Sequence, residues 1–262
     1  MQHRSLRTQP LRKVPEVTVV FWATKLLTTA WGESTSDWLV VKMNPYLAVA
    51  LGGIALVFAL TLQFRIRRYT PWAYWLAAAI VAVFGTMTAD GAHVQLGVPY
   101  AASSAVFAIA LAAIFIAWQK TEGTLSIHTV TGGRREVFYW LTVMATFALG
   151  TATGDLTAST LGLGYLTSGF LFIGVILIPA LGYWFFGLGE IAAFWAAYVV
   201  TRPLGASFAD WMGKPRSVNG LGLGDGRVSF MLFALLICAV IYMTLSHSKA
   251  EHKSPNQKQS VD

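Results

Sequence analysis

Four aspartates in this chain stand in the same setting. Each closes the pattern aromatic-Trp-x9-Gly-x4-Asp, which reads Phe21-Trp22/Gly32/Asp37, Tyr74-Trp75/Gly85/Asp90, Tyr139-Trp140/Gly150/Asp155 and Phe194-Trp195/Gly205/Asp210. The chain has six aspartates, so most of its supply is committed to one motif. A carboxylate in an apolar run is expensive to bury, and recurrence at fixed spacing argues for a shared task.

Residues four apart share a helix face, so the groups one turn before the aspartates belong to the same surface. They are Glu33, Thr86, Thr151 and Ala206. In the first copy the polar stripe continues backwards through Thr29 to Lys25; in the fourth it reads Tyr198, Arg202, Ala206, Asp210. Lys25 and Arg202 lie deepest in apolar sequence and are expected to pair with carboxylates or helix carbonyls. Glu33 and four aspartates against those two cations leave a formal excess of three negative charges. With the hydroxyls of Ser34, Thr35, Thr88 and Thr153, such a cluster suits a hard cation bound through oxygen, a divalent metal on Asp37, Asp90, Asp155 and Asp210 included. Crowded acids exchange protons for a bound cation, which is the chemistry of a proton-coupled carrier. Asp90 and Asp155, flanked by threonines, are the expected proton carriers.

Each of these features has a plainer reading. An aspartate at a helix end is equally at home in interfacial water. Trp22, Trp75, Trp140 and Trp195, with Tyr198, are read as lining a cavity, and an interfacial aromatic belt explains the tryptophans as well. The motif glycines fit close helix packing better than ligand contact. Glu16, Glu136 and Glu190 sit at helix beginnings, where the macrodipole favours acids. His93 is a weak metal candidate beside Asp90, Pro203 marks a kink beside Arg202, and the glycine-rich stretch 219–227 reads as a flexible loop or lid.

The elements that carry these residues are set by composition. The chain is 55% hydrophobic and 12% charged, too little polar surface for a soluble domain of 262 residues. Eight apolar runs, roughly 15–36, 46–64, 71–90, 98–118, 136–155, 165–186, 190–209 and 228–246, approach the length of a bilayer crossing. The basic start and the first apolar run superficially resemble a signal peptide, but Lys25 interrupts the run and the repeat places it in the fold. The expected fold class is all-α: a polytopic membrane protein of eight transmembrane helices. They form four two-helix repeats (15–70, 71–133, 134–187 and 188–247), between a basic N-terminal segment (1–14) and a disordered tail (248–262).

Two crossings per repeat return the chain to the same side, so the four copies are parallel. Thirteen cations fall on the side of the termini and four (Lys42, Lys214, Arg216, Arg227) on the other. This places both termini in the cytoplasm and reads the net charge of +7 as topology, not nucleic-acid binding. The single cysteine, Cys238, excludes an internal disulfide framework.

Four tandem two-helix repeats, each with a prominent Trp, resemble a family of bacterial uncharacterised membrane-anchored proteins built from four copies of a repeat of unknown function. The resemblance spans 15–246. It implies the bacterial inner membrane and the eight-helix architecture, and carries no activity with it. The residues themselves favour a secondary transporter of a cation. The rival is a non-transporting scaffold or sensor whose polar groups lock helix packing. No enzyme is expected, since the sequence offers no Ser/His pair, no H-E-x-x-H and no second His near the acids, and the missing nucleotide motif argues against an ATP-driven pump. The expected partners are the lipid bilayer and a small cation, with no cofactor.

Overall fold

The computed structural model describes residues 12–256, with side chains to 249; the expectations for 1–11 and 257–262 lie outside the described residues. Among the described residues the fold is all-α. Eight helices follow one another: α1 Val19–Lys42, α2 Pro45–Arg65, α3 Pro71–Val94, α4 Tyr100–Glu122, α5 Arg134–Asp155, α6 Tyr165–Phe185, α7 Glu190–Gly213 and α8 Asp225–Asn256. Their ends follow local chemistry. The Thr18 hydroxyl accepts from the Phe21 amide, and Asn44 caps α2 by accepting from Tyr46 and Leu47 ahead of Pro45. Gly123 ends α4 at φ 72°, a conformation that costs glycine nothing. One π-turn, Leu156–Thr160, extends α5 just past Asp155. The last helix continues to Asn256, beyond the expected end of the apolar run at 246.

Among the described residues six helices are long and apolar enough to cross a membrane: α2, α3, α4, α5 with its π-turn, α6 and α8. The 24-residue α1 and α7 have the length but are less apolar, because they carry Lys25, Glu33 and Asp37, and Arg202 and Asp210, within the helix.

The packing unit differs from the sequence unit. The odd-numbered helices form a closed ring, α1 against α3, α3 against α5, α5 against α7, and α7 back against α1. The even helices lie outside it, and each covers the odd helix of the following repeat: α2 on α3, α4 on α5, α6 on α7, and α8 on α1. Contacts within a sequence hairpin are slight by comparison. The even helices present large apolar side chains outward, among them Phe58, Ile178 and Phe230. A surface of that kind fits lipid and not water.

Glycine sets the ring's close approach. A Cβ on Gly32 would collide with Ala82, on Gly85 with Phe147, on Gly150 with Arg202, and on Gly205 with Thr29. Each of those neighbours stands three residues before the motif glycine of its own helix. One contact is thus repeated four times and closes on itself, which settles the glycines as packing points.

The motif aromatics form a second closed circuit at the end of the ring where α1 begins. Phe21 packs on Trp75 at 5.8 Å between ring centroids, Tyr74 on Trp140 at 5.5 Å, Tyr139 on Trp195 at 6.1 Å and Phe194 on Trp22 at 5.7 Å. These spacings are those of favourable aromatic pairs. Tyr74 and Tyr139 also hydrogen-bond through their hydroxyls. The phenylalanines and tyrosines close the ring at this end with the tryptophans packed around them; Trp75, Trp140 and Trp195 are buried, while the half-buried Trp22 lines, with Trp195, a largely apolar cavity beside α1, α6 and α7.

Candidate functional site

The ring's interior is written in steps of four along each odd helix. From the tryptophan end the layers are Phe21/Tyr74/Tyr139/Phe194, then Lys25/Ala78/Val143/Tyr198, then Thr29/Ala82/Phe147/Arg202. Glu33/Thr86/Thr151/Ala206 and the four aspartates complete the series. Of these twenty side chains all are buried except Asp90 and Asp155, which are half-buried. The interior is thus closed at the aromatic end and opens at the aspartate end.

At that end the acids converge. Carboxylate oxygens of Glu33, Asp37 and Asp90 lie within 4.8 Å of one another. The Lys214 ammonium donates to Asp37 at 2.6 Å and stands 3.9 Å from Asp210, which ties the fourth repeat to the first. Asp155 is close enough to feel Glu33 and Asp37 electrostatically. Asp90 and Asp155 have no hydrogen-bond or ion-pair partner among the described residues, so the middle repeats supply the two free carboxylates.

One layer further in, Arg202 organises the polar residues expected on the aspartate face. Its guanidinium pairs with Glu33 at 2.5 Å, donates to Thr151 at 2.7 Å and to Thr86, and reaches the Thr29 carbonyl at 3.2 Å. Thr86 in turn donates to Glu33 at 3.2 Å. One side chain from α7 thereby bonds to α1, α3 and α5. Arg202 is fully buried, so this charge survives only because planar, five-donor geometry meets a carboxylate and three further oxygens. Thr86 and Thr151, read as cation ligands, serve here as acceptors for Arg202.

Lys25 departs from expectation. Its ammonium pairs with no carboxylate and has no hydrogen-bond partner, although the residue is 1% exposed. It sits over the Phe147 ring at 4.0 Å and the Tyr198 ring at 4.1 Å. The reason is depth: Lys25 is two turns below Glu33, in a layer whose other members are Ala78, Val143 and Tyr198. The Arg202 guanidinium carbon lies 5.2 Å from the centroid of the same Phe147 ring.

Lys214 takes the place expected of Lys25. It follows α7, where backbone bonds fold the glycine-rich stretch back over the helix end: Leu221 to Trp211 at 2.6 Å, Gly222 to Lys214 at 2.9 Å, Leu223 to Met212 at 3.1 Å and Gly224 to Gly213 at 3.0 Å. These amides satisfy the last carbonyls of α7 and fix the root of Lys214. Burial works against the Lys214 charge, but Asp37 and Asp210 outweigh it and hold its ammonium above the ordinary lysine range. Glu33 and four aspartates against Arg202 and Lys214 again leave three negative charges in excess. A sequence signal existed: Lys214 stands four residues after Asp210, one turn along the same face.

Other candidates resolve into structural parts. Thr88, Thr153 and Ser34 donate to carbonyls of their own helices, and Thr35 bonds Ser229 of α8 at 2.7 Å. His93 stacks on Tyr100 at 3.7 Å and its Nδ1 meets the Val98 carbonyl at 2.9 Å, so it holds the loop after α3. Pro203 lies within an unbroken α7, beside Gly150. Glu136 is buried with Lys13 and Gln63, and Glu190 meets His128 at 3.0 Å.

A family model described as Repeat of Unknown Function (DUF347) matches residues 20–69, 73–124, 138–187 and 193–249, most of the chain, and the protein belongs to that family. No curated protein matches it, and neither does any solved structure.

Proposed function

We propose that this member of the repeat family is an eight-crossing protein of the bacterial inner membrane, acting as a proton-coupled secondary transporter of a cation. Both termini are placed on the cytoplasmic side, and the acid cluster faces the opposite side. The observation that carries the reading is convergence: every repeat contributes its aspartate to one place, at the end where the ring interior opens. Four equivalent acids would not need to meet if each only touched interfacial water at its own helix end. The placement of α1 and α7 in the ring, matched in length and register to α3 and α5, supports counting them as crossings despite their charges. The positive-inside bias supports the orientation.

In this reading Asp90 and Asp155 bind and release protons in exchange for the cation, while Asp37 and Asp210 stand against Lys214. The scaffold or sensor reading draws on one observation, the four partners of the Arg202 terminal nitrogens, which weld all four odd helices together. Reconstituted flux separates the two. The Asp90→Asn/Asp155→Asn double variant is expected to fold and insert but to lose cation flux and cation-dependent thermal stabilisation. Undiminished flux in that variant would leave the structural role alone.

A further inference from the structure

The ring interior holds two lysine heads, and neither is placed as a packing residue would be. Lys214 reaches from a loop into the acid cluster, donating to Asp37 and approaching Asp210. Lys25 buries its Nζ between two aromatic faces with no hydrogen-bond partner. A position that needed only volume would take methionine, which has no charge to desolvate. Both sites lie in the ring interior, with the layer of Thr29, Ala82, Phe147 and Arg202 coming between Lys25 and the acids along the helices.

Both surroundings have the chemistry that recognises an alkylammonium group. The acid cluster offers carboxylate oxygens to N–H donors, and the 2.6 Å contact with Asp37 is a charge-assisted hydrogen bond to an ammonium already in place. The cage of Phe147 and Tyr198 offers ring faces, which attract an ammonium and give a metal ion no oxygen to bind. In the one group of acids close enough for a metal among the described residues, Glu33, Asp37 and Asp90, two of the three are already engaged by cationic nitrogens, Glu33 by Arg202 and Asp37 by Lys214. A divalent metal there would share Glu33 and Asp37 with two cationic nitrogens and meet their charge repulsion; an ammonium has only to take over from Lys214.

We propose that the axis of the ring is built for a primary alkylammonium cation, with one station at the acid cluster and a second in the aromatic cage, each filled here by a lysine of the chain itself. This rests on reading the cluster as a cation site and names the class of cation. Lys214 is then a tethered competitor. A group on a short flexible tether competes at an effective concentration in the millimolar range, so free ligand has to reach about that level to displace it. Asp90 and Asp155, free of protein partners, receive the incoming ammonium before Lys214 withdraws. The loop that carries Lys214 is anchored on α7 by its backbone, so the side chain can swing while its root stays fixed.

The test uses the purified full-length protein, with melting temperature followed against added salt at matched ionic strength. The probes are methylammonium, tetramethylammonium, sodium, manganese and magnesium chlorides. Methylammonium is expected to stabilise the wild type saturably, and tetramethylammonium, which has no N–H to donate, is not. In Lys214→Ala the half-saturating methylammonium concentration is expected to fall about tenfold or more, because a site blocked by its own lysine nine-tenths of the time loses that factor in apparent affinity. In Lys25→Ala, propylammonium is expected to stabilise more than it does the wild type, which keeps the cage testable if Lys214→Ala does not fold. Stabilisation by manganese or magnesium without a methylammonium effect would overturn the ammonium assignment and leave the cation site standing. Equal effects of tetramethylammonium and methylammonium would remove the hydrogen-bonded station at the acid cluster. No saturable effect of any cation on wild type or variants would overturn this inference and the cation-site reading together.

Discussion

Arg202 and Glu33 provide the sharpest check on the ring. Arg202 is fully buried and Glu33 is 2% exposed, so removing one charge strands the other in a dry interior. In Arg202→Met the Glu33 carboxylate keeps only the Thr86 hydroxyl at 3.2 Å, a loss expected to cost about 3–5 kcal/mol. In Glu33→Gln the guanidinium keeps Thr86, Thr151 and the Thr29 carbonyl, so the expected cost is smaller, about 1–3 kcal/mol. Independent effects would sum to roughly 4–8 kcal/mol. The double variant removes both charges at once and is expected to lose only about 1–3 kcal/mol, because two uncharged side chains of similar bulk replace a pair that had been stripped of water. The coupling of about 3 kcal/mol or more is read from equilibrium unfolding of the four proteins in one detergent. Additivity within about 0.5 kcal/mol would refute the claim that these two side chains form a single buried unit.

Gly32→Ala is expected to destabilise by about 1–3 kcal/mol through overlap with Ala82, whereas Gly91→Ala, which meets open space, should be neutral in the same melting assay. Reporter fusions at Lys249 and within 91–97 should report opposite sides of the membrane; the same side for both would break the eight-crossing topology. Lys214 has a raised folded-state pKa, so its stabilising charge is fully present below the ordinary lysine pKa and is lost only as pH climbs through the higher folded value. The stability gap between wild type and Lys214→Met should therefore stay level from pH 7 to about 10 and close only in stronger alkali, as followed by melting temperature across that range.

The repeat was legible because its spacing is fixed by physics that does not depend on neighbours. A Trp, a Gly and an Asp held at constant intervals on one helix mark two ends and a contact point. The closed ring was not legible, since a two-helix sequence unit gives no sign that each even helix will leave its partner and cover the next repeat's odd helix. The same gap explains the lysines. Lys25 looked like a partner for acids because it shares their helical face, yet two turns of separation put it beside Phe147 and Tyr198. Lys214 looked like a loop charge, and the fold-back at Leu221–Gly224 delivers it to Asp37. Thr86 and Thr151 were found by their position one turn from the aspartates. Their role came from Arg202, on a helix that sequence spacing alone could not bring to them.

The pattern of divergence among the repeats follows from the width of the ring. Where glycine draws the helices together, a layer has room for little: Thr29 and Ala82 are small, and Phe147 and Arg202 take what space remains. Four identical side chains cannot all fill a shared axis, so the copies must differ there, and one of them can carry a unique hub such as Arg202. At the aromatic end the Trp and its preceding ring spread around the perimeter, each against the next repeat, and the motif survives in all four copies. At the aspartate end the interior opens, Asp90 and Asp155 are half-buried, and four acids fit without exclusion. Packing alone accounts for the conserved aromatics and for the diverged middle. It gives no reason to keep four like charges together at the mouth, where any small polar residue would fit. The acids are therefore the part of the repeat that packing leaves unexplained, and the proposed cation site is the reading that gives four converging carboxylates a common role.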